Sequence, residues 1–432
     1  MNRLSRLKPS SVYLLLTAAQ SFIFALVFNA EMIYFVTEIN ADPLQLVLLG
    51  TALEISIFLM EVPTGVVADT YSRRLSVIIG VALIGVSFLI TGAFALYAAA
   101  FIGQIVWGVG YTFTSGATEA WLADEIGESA AGPVYLQAAQ LSAAVGVVGI
   151  ILGMLLGSIS LRLPILIGGV LMMSLAGILG VVMHEHGFRP RPRENQGMFA
   201  PLSEMRQTFS QGLKAVRARP LLITILLITL IFGAFSEGFD RLNQKHVIDN
   251  IGFPTFITLE PVVWFGLISL AGTLLGVLVT GWARRRINTE SHQGVARALM
   301  ISTGALSLAV IAFGLASGFW AAVVIILGIG ALRIIRDPLT TAWVNQNVDS
   351  SVRATVLSMN GQADALGEML IGPGMGALAL AWGLRAALVI AGCLLAPALL
   401  LYWYNLHSPA SMPEALHDSS PQLGQEKGEP SA

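Results

Sequence analysis

The chain has one cysteine, Cys393, set inside an apolar run. A lone thiol excludes an internal disulfide framework and any cysteine-based metal cluster. Charge is scarce as well: Asp, Glu, Lys and Arg make up 12% of the 432 residues, about half the share of a soluble domain. So little charge cannot solvate the surface of a globular protein of this length. The two signs nearly balance, 24 Lys and Arg against 26 Asp and Glu, for a formal net charge of −2. With no long basic run, that balance argues against a nucleic-acid partner. No phosphate-cradling glycine loop, metal cluster or nucleophile–base set occurs either, which leaves ATP-driven pumping without a motor and an enzyme without a catalytic set.

What is abundant is apolar sequence, 55% of the chain. A spanning helix needs about 20 mostly apolar residues. Runs of that kind lie near 12–36, 44–67, 75–97, 99–122, 134–158 and 161–183. A second set lies near 220–241, 260–283, 296–316, 319–343, 354–380 and 384–404. The pattern predicts an all-α membrane protein with twelve transmembrane helices in two sets of six. Arg3, Arg6 and Lys8 give the N-terminus a signal-like start. The run from Val12 to Phe35 is longer than the about 7–15 residues of a signal core, and it is read as a retained first span. The expected organisation is a first bundle over 1–183, a linker over 184–219, a second bundle over 220–405 and a disordered tail over 406–432. Within the linker, Leu202, Met205, Phe209, Leu213 and Val216 recur every three to four residues, the mark of a helix lying on a membrane surface.

Lys and Arg concentrate in alternate loops. The N-terminus, Arg73 and Arg74, the central stretch from Arg189 to Arg219, and Arg284 to Arg286 fall on one side. The intervening loops carry mainly Arg162, Arg241, Lys245 and Arg385. The positive-inside rule then places both termini in the cytoplasm and the chain in the cytoplasmic membrane.

Two internal echoes occur in the same order. Gly65-Val-Val-Ala-Asp69-Thr-Tyr-Ser72-Arg73-Arg74 is echoed by Gly276-Val-Leu-Val-Thr280-Gly-Trp-Ala-Arg284-Arg285. One helix pair later, Thr118-Glu119-Ala120-Trp121-Leu122 is echoed by Thr340-Thr341-Ala342-Trp343-Val344. Ordered repeats of this kind are how many secondary transporters are built. The first loop resembles the signature between the second and third helices of the major facilitator superfamily, G-x-x-x-D-x-x-x-R-[RK]. The resemblance implies two six-helix bundles related by pseudo-symmetry. It also implies a cytoplasmic gate built from Gly65, Asp69, Arg73 and Arg74, with Asp124 at the inner end of the fourth span as the acidic partner. Gly65 is expected to allow close helix approach, and Asp69 to meet the positive end of a neighbouring helix. Ser72 departs from the family's usual Gly.

In the fourth span, Gln104-Ile-Val-Trp107-Gly108-Val-Gly110 stands where the family often has R-x-x-x-G-x-G, so the charge of that Arg is missing. The fifth span carries Gly146, Gly149, Gly153 and Gly157. It resembles the glycine-rich fifth helix of drug/proton antiporters without the usual Gly-Pro; Gly372-Pro373-Gly374 stands in the equivalent eleventh span.

Charges inside spans are costly and usually face a cavity or a partner. Glu31 and Glu237 occupy comparable depths in the first and seventh spans, which line the central cavity in the family; they form a symmetric pair of proton-site candidates. The bland alternative for Glu237 is a pair with Arg241 at the outer rim, one turn on. In the tenth span Asp337 follows Arg333 by four residues, a ready-made pair that leaves Arg336 over. Asp364 and Glu368 share a face of the eleventh span; the bland reading is that they neutralise these arginines as a buried network, the sharper one that protonation of a carboxylate frees an arginine for substrate. Glu54, mid-way along the second span, has no evident partner. Glu61 and Glu119, near the inner ends, are expected to pair with Arg73 or Arg74. The proton-coupling candidates are therefore Glu31, Glu54, Glu237, Asp364 and Glu368, with Glu31 and Glu54 preferred because neither has an arginine within a turn. Asn29, Gln104, Trp107, Tyr111, Arg333 and Arg336 are the substrate-cavity candidates.

The expected function is proton-coupled efflux of a small organic solute by alternating access, similar to drug/proton antiport. It would be driven by a proton gradient, need no cofactor, and be performed by a monomer in the bilayer. Arg333 and Arg336 suggest the alternative of proton-linked uptake of an anionic solute. A membrane sensor or enzyme is the distant alternative, since it would need an appended domain or a polar catalytic set.

Overall fold

The computed structural model describes residues 7–189, 220–286, 291–347 and 353–407. The surface helix expected within 202–216 and the tail after 407 lie outside the described residues. The first half comprises α1 (Pro9–Thr37), α2 (Pro43–Thr70), α3 (Arg73–Ala93), α4 (Tyr97–Thr114), α5 (Ala117–Ile126), α6 (Glu128–Gly157) and α7 (Arg162–Val182). The second comprises α8 (Pro220–His246), a π turn (Val247–Ile251), α9 (Pro261–Arg286), α10 (His292–Leu315), α11 (Phe319–Asn347), α12 (Arg353–Trp382), α13 (Leu384–Leu394) and α14 (Ala396–His407). Among the described residues, eleven helical spans are long and apolar enough to cross a membrane. The twelfth crossing is α4, only 18 residues long and interrupted by the polar Gln104, which continues through Gly116 into α5. Gly116 adopts φ +68°, a left-handed conformation that a side chain would strain. Every crossing reverses the last, so α1 begins and α14 ends on one face, called here the terminal face.

Local signals fix the helix ends. Asp42 and Gln45 form a reciprocal capping box at the start of α2, with Pro43 in its first turn. Ser72 is the N-cap of α3 and accepts from Leu75 N at 2.9 Å. This explains the departure from Gly at that position: the hydroxyl satisfies a backbone donor that Gly would leave open.

Among the described residues, one buried apolar cluster serves the first half, running from Val12 through Phe88 and Trp121 to Met183. The second half has two. One, around Leu222, Trp343 and Tyr402, lies near the terminal face. The other, around Phe235, Phe265 and Phe313, lies toward the opposite face and takes in Ala30, Ile33 and Val47 from the first half. The halves thus share a continuous core at the opposite face. There Gly157 of α6 abuts Val262 of α9, and the Asn29 amide donates to the Val262 carbonyl at 3.3 Å. The two echoed tryptophans, Trp121 and Trp343, are both 1% exposed, which gives the repeat a packing role in each half.

Candidate functional site

Away from that seam the halves part around a cavity of about 480 Å³, a size typical of small-molecule sites. The second span contributes Glu54, Phe58 and Glu61, spaced so that they share one side of α2. From α4 come Trp107 and Tyr111, again one turn apart; α12 adds Ser358 and Gln362 from the other half. Trp107 is backed by aromatic rings, with Phe28 at 5.0 Å and Phe88 at 6.0 Å between centroids. The wall is therefore aromatic with two carboxylates, and among the described residues no arginine lines it.

Of the expected cavity residues, Trp107 and Tyr111 line this space, whereas Asn29, Gln104, Arg333 and Arg336 do not. Asn29 is held at the seam, and Gln104 is 1% exposed within the bundle. The expected Arg333–Asp337 pair does not form. Arg333 instead grips Asp240 of α8 with both terminal nitrogens, at 2.6 and 2.9 Å. Arg336 contacts Asp337 at 3.7 Å and lies with its guanidinium 3.2 Å from the centroid of the Phe232 ring. Helical spacing permits a turn-to-turn pair, but the bidentate grip on a carboxylate of the next helix is the stronger geometry.

The proton-site candidates divide. Glu54 faces the cavity. Glu31 is 6% exposed, buried at the seam rather than standing in an interface with lipid headgroups. Glu237 does pair with Arg241, at 3.2 Å, but the pair is buried and not on the rim, because α8 and the π turn carry the chain on to Ile251. Asp364 is within electrostatic reach of Arg336 and Arg333. Glu368 differs: it accepts from the Ser236 hydroxyl at 3.2 Å, and its charged neighbours include Glu54, Glu237 and Asp364. The sequence offered no sign that Glu368 comes within electrostatic reach of Glu54 in the other half, since helix rotation is set by partners and not by spacing.

On the terminal face, Arg73 meets Asp124 at 2.5 Å and the Ala120 carbonyl at 3.0 Å, with Asp69 at 3.5 Å. The acidic partner expected for Arg73 is thus in place. Three expectations here are corrected. Gly65 permits no close approach, since a Cβ there would meet nothing within 4 Å. Arg74 points away from the gate and caps the end of α7, donating to the Met183 carbonyl and, at 2.6 Å, to that of Gly180. Glu61 lines the cavity rather than pairing with an arginine of the loop, and the positive end of α3 is met by Ser72 and by Glu185, which accepts from Arg74 N at 3.0 Å. Glu185 and Glu125, neither singled out in the sequence, tie residues 184–187 to this face: Glu125 accepts from the amides of His186 and Gly187 at 2.5 and 2.7 Å.

A family model described as Major Facilitator Superfamily matches residues 12–367. The chain belongs to the major facilitator superfamily. As a member it is a multi-pass membrane transporter. A relative, "Uncharacterized MFS-type transporter YxaM" of Bacillus subtilis (strain 168), is 25% identical over 389 residues, covering 87% of this chain and 91% of that one. The fold is shared with the nucleoside transporter NupG, at TM-score 0.74 and 14% identity over 92% of this chain and 98% of that one. It is also shared with a POT family transporter in complex with 5-aminolevulinic acid, at TM-score 0.72 and 11% identity over 92% and 96%. At such identities these two neighbours bear on the superfamily fold alone.

Proposed function

We propose that this superfamily member exports a small organic solute across the cytoplasmic membrane in exchange for protons, acting as a monomer with both termini in the cytoplasm. On this reading the terminal face is cytoplasmic and the described conformation is inward-open, closed at the opposite face and accessible from within. The two bundles, 1–183 and 220–405, rock about the seam, with the 184–219 segment as tether. Arg73, Asp124 and Asp69 form the cytoplasmic gate. Energy comes from the proton gradient, with no cofactor.

The observation that carries the reading is the placement of Glu54 in the wall of the cavity, mid-span, beside an aromatic face. A carboxylate there can hold either a proton or a solute, and that exclusion is the simplest coupling between the two. The wall chemistry favours a neutral or cationic, partly aromatic cargo. Anionic uptake loses its support, because Arg333 is committed to Asp240 and Arg336 is buried against Phe232.

The test is substrate-driven proton movement in proteoliposomes over a panel of organic cations, neutral aromatics and organic anions. Glu54→Gln should abolish proton movement while leaving the protein inserted and monodisperse. Proton movement that persists in the Glu31→Gln, Glu54→Gln double variant would move the site to Glu237 or Glu368. Anions moving inward with protons would reverse the reading.

A further inference from the structure

A charged pair of side chains is enclosed in the opposite-face seam. Glu237 and Arg241, one turn apart on α8, are joined Oε1 to Nε at 3.2 Å, with side chains 6% and 17% exposed. Two bare stretches of backbone flank them. On α2, a methyl group at Gly50 would overlap the Glu237 carboxylate and stand 2.6 Å from Arg241 Nη2. On α12, a methyl at Gly372 would stand 2.9 Å from Glu237 Cγ. The pair therefore fills a slot with one wall from each half of the molecule. A second observation bears on the same pair: Arg241 is within electrostatic reach of Glu31 on α1. One largely enclosed cation thus has a carboxylate of each half within its electrostatic reach. A buried charge resists losing its partners, because the desolvated ion has nothing else to pair with.

We infer that the Glu237–Arg241 pair is the key that locks the opposite-face seam, and that Gly50 is the residue that specifies its fit. Seated between Gly50 and Gly372, the pair must withdraw from the slot before α2 can separate from α8 and α12. Gly50 and Arg241 are positioning residues: they set which face is closed and need not touch solute. Gly50 precedes Glu54 by one turn on α2, so the lock forms the closed end of the cavity that Glu54 lines. The inference rests on the alternating-access reading, and its test is independent of transport.

Spin labels at Ile159→Cys and Phe256→Cys, on a Cys393→Ser background, report the separation of the two halves at the opposite face. Both positions are exposed, at 76% and 70%, and lie in loops of different halves. In full-length protein in lipid nanodiscs, the parent should show mainly the short distance. Gly50→Ala and Arg241→Gln should each raise the long-distance population about tenfold, a shift within the usual range of coupling between sites. Gly374→Ala, two residues from Gly372 but with open space around its Cβ, should match the parent. Parent-like distances in both Gly50→Ala and Arg241→Gln overturn the lock. If Gly50→Ala alone fails to insert, combining it with Glu237→Ala and Arg241→Ala, which removes both side chains that the methyl would overlap, decides: recovery of inserted protein supports the fit, and continued failure overturns it. An unmoved distance with intact solute flux faults the lock alone. A shifted distance without any solute flux faults the transport reading alone.

Discussion

At the scale of single residues, the proposed terminal-face gate turns on which carboxylate holds Arg73. Asp124 does so at 2.5 Å and Asp69 at 3.5 Å, so the two acids are not equivalent. Asp124→Asn should slow solute flux more than Asp69→Asn in proteoliposomes. Neither should cost more than about 1 kcal/mol of stability, because part-exposed ion pairs contribute little; thermal unfolding in detergent checks this. Asp124 was legible in the sequence because a repeated loop and a helix end together fixed its neighbourhood. Arg74 was not, since the carbonyls it caps belong to α7, more than a hundred residues on. The same holds for Arg333: its own helix offered Asp337, and only the packing of α8 against α11 supplied Asp240.

At the scale of elements, the glycine stripe of α6 separates packing from chemistry. A Cβ at Gly149 would strike the Phe22 carbonyl of α1, and one at Gly153 would stand 2.7 Å from the Leu26 carbonyl. At Gly146, the nearest atom to a Cβ is Ser21 Oγ at 3.5 Å, ordinary contact. The stripe is therefore a surface for close helix approach, graded along its length. Gly153→Val should destabilise the protein by about 1–3 kcal/mol through overpacking against backbone, while Gly146→Ala should leave the melting temperature nearly unchanged. The spacing of these glycines was enough to recognise an interface from the sequence. It did not say that α1 is the partner for three of them, or that Gly157 reaches Val262 in the other half.

At the scale of the molecule, the twelve crossings and their division into halves were readable from apolar runs alone, because the bilayer fixes the length of each span. The even number of crossings brings Pro9 and His407 to one face. A reporter fused after residue 432 should therefore be active in the cytoplasm, and a cysteine at Phe256 should react with an impermeant maleimide only from outside; the reverse pattern would invert the proposed topology. The asymmetry of the halves was not readable. Hydrophobic periodicity is weak in helices that are apolar all round, so nothing in the spacing announced that Ala30, Ile33 and Val47 join the core of the second half.

Placing that shared core at one end turns the long helices into levers. Gly50 lies near one end of α2, and the twenty residues from there to Thr70 span about 30 Å at 1.5 Å per residue. Rotating that arm by about 10° about the glycine slot would sweep its far tip through about 5 Å, the height of one helical turn. A change no larger than one side chain at the fulcrum is thereby magnified into a change of access at the tip, where Asp69 and Arg73 stand. The leverage also runs the other way: a small load on the gate is felt at the fulcrum as a large torque on a single buried ion pair.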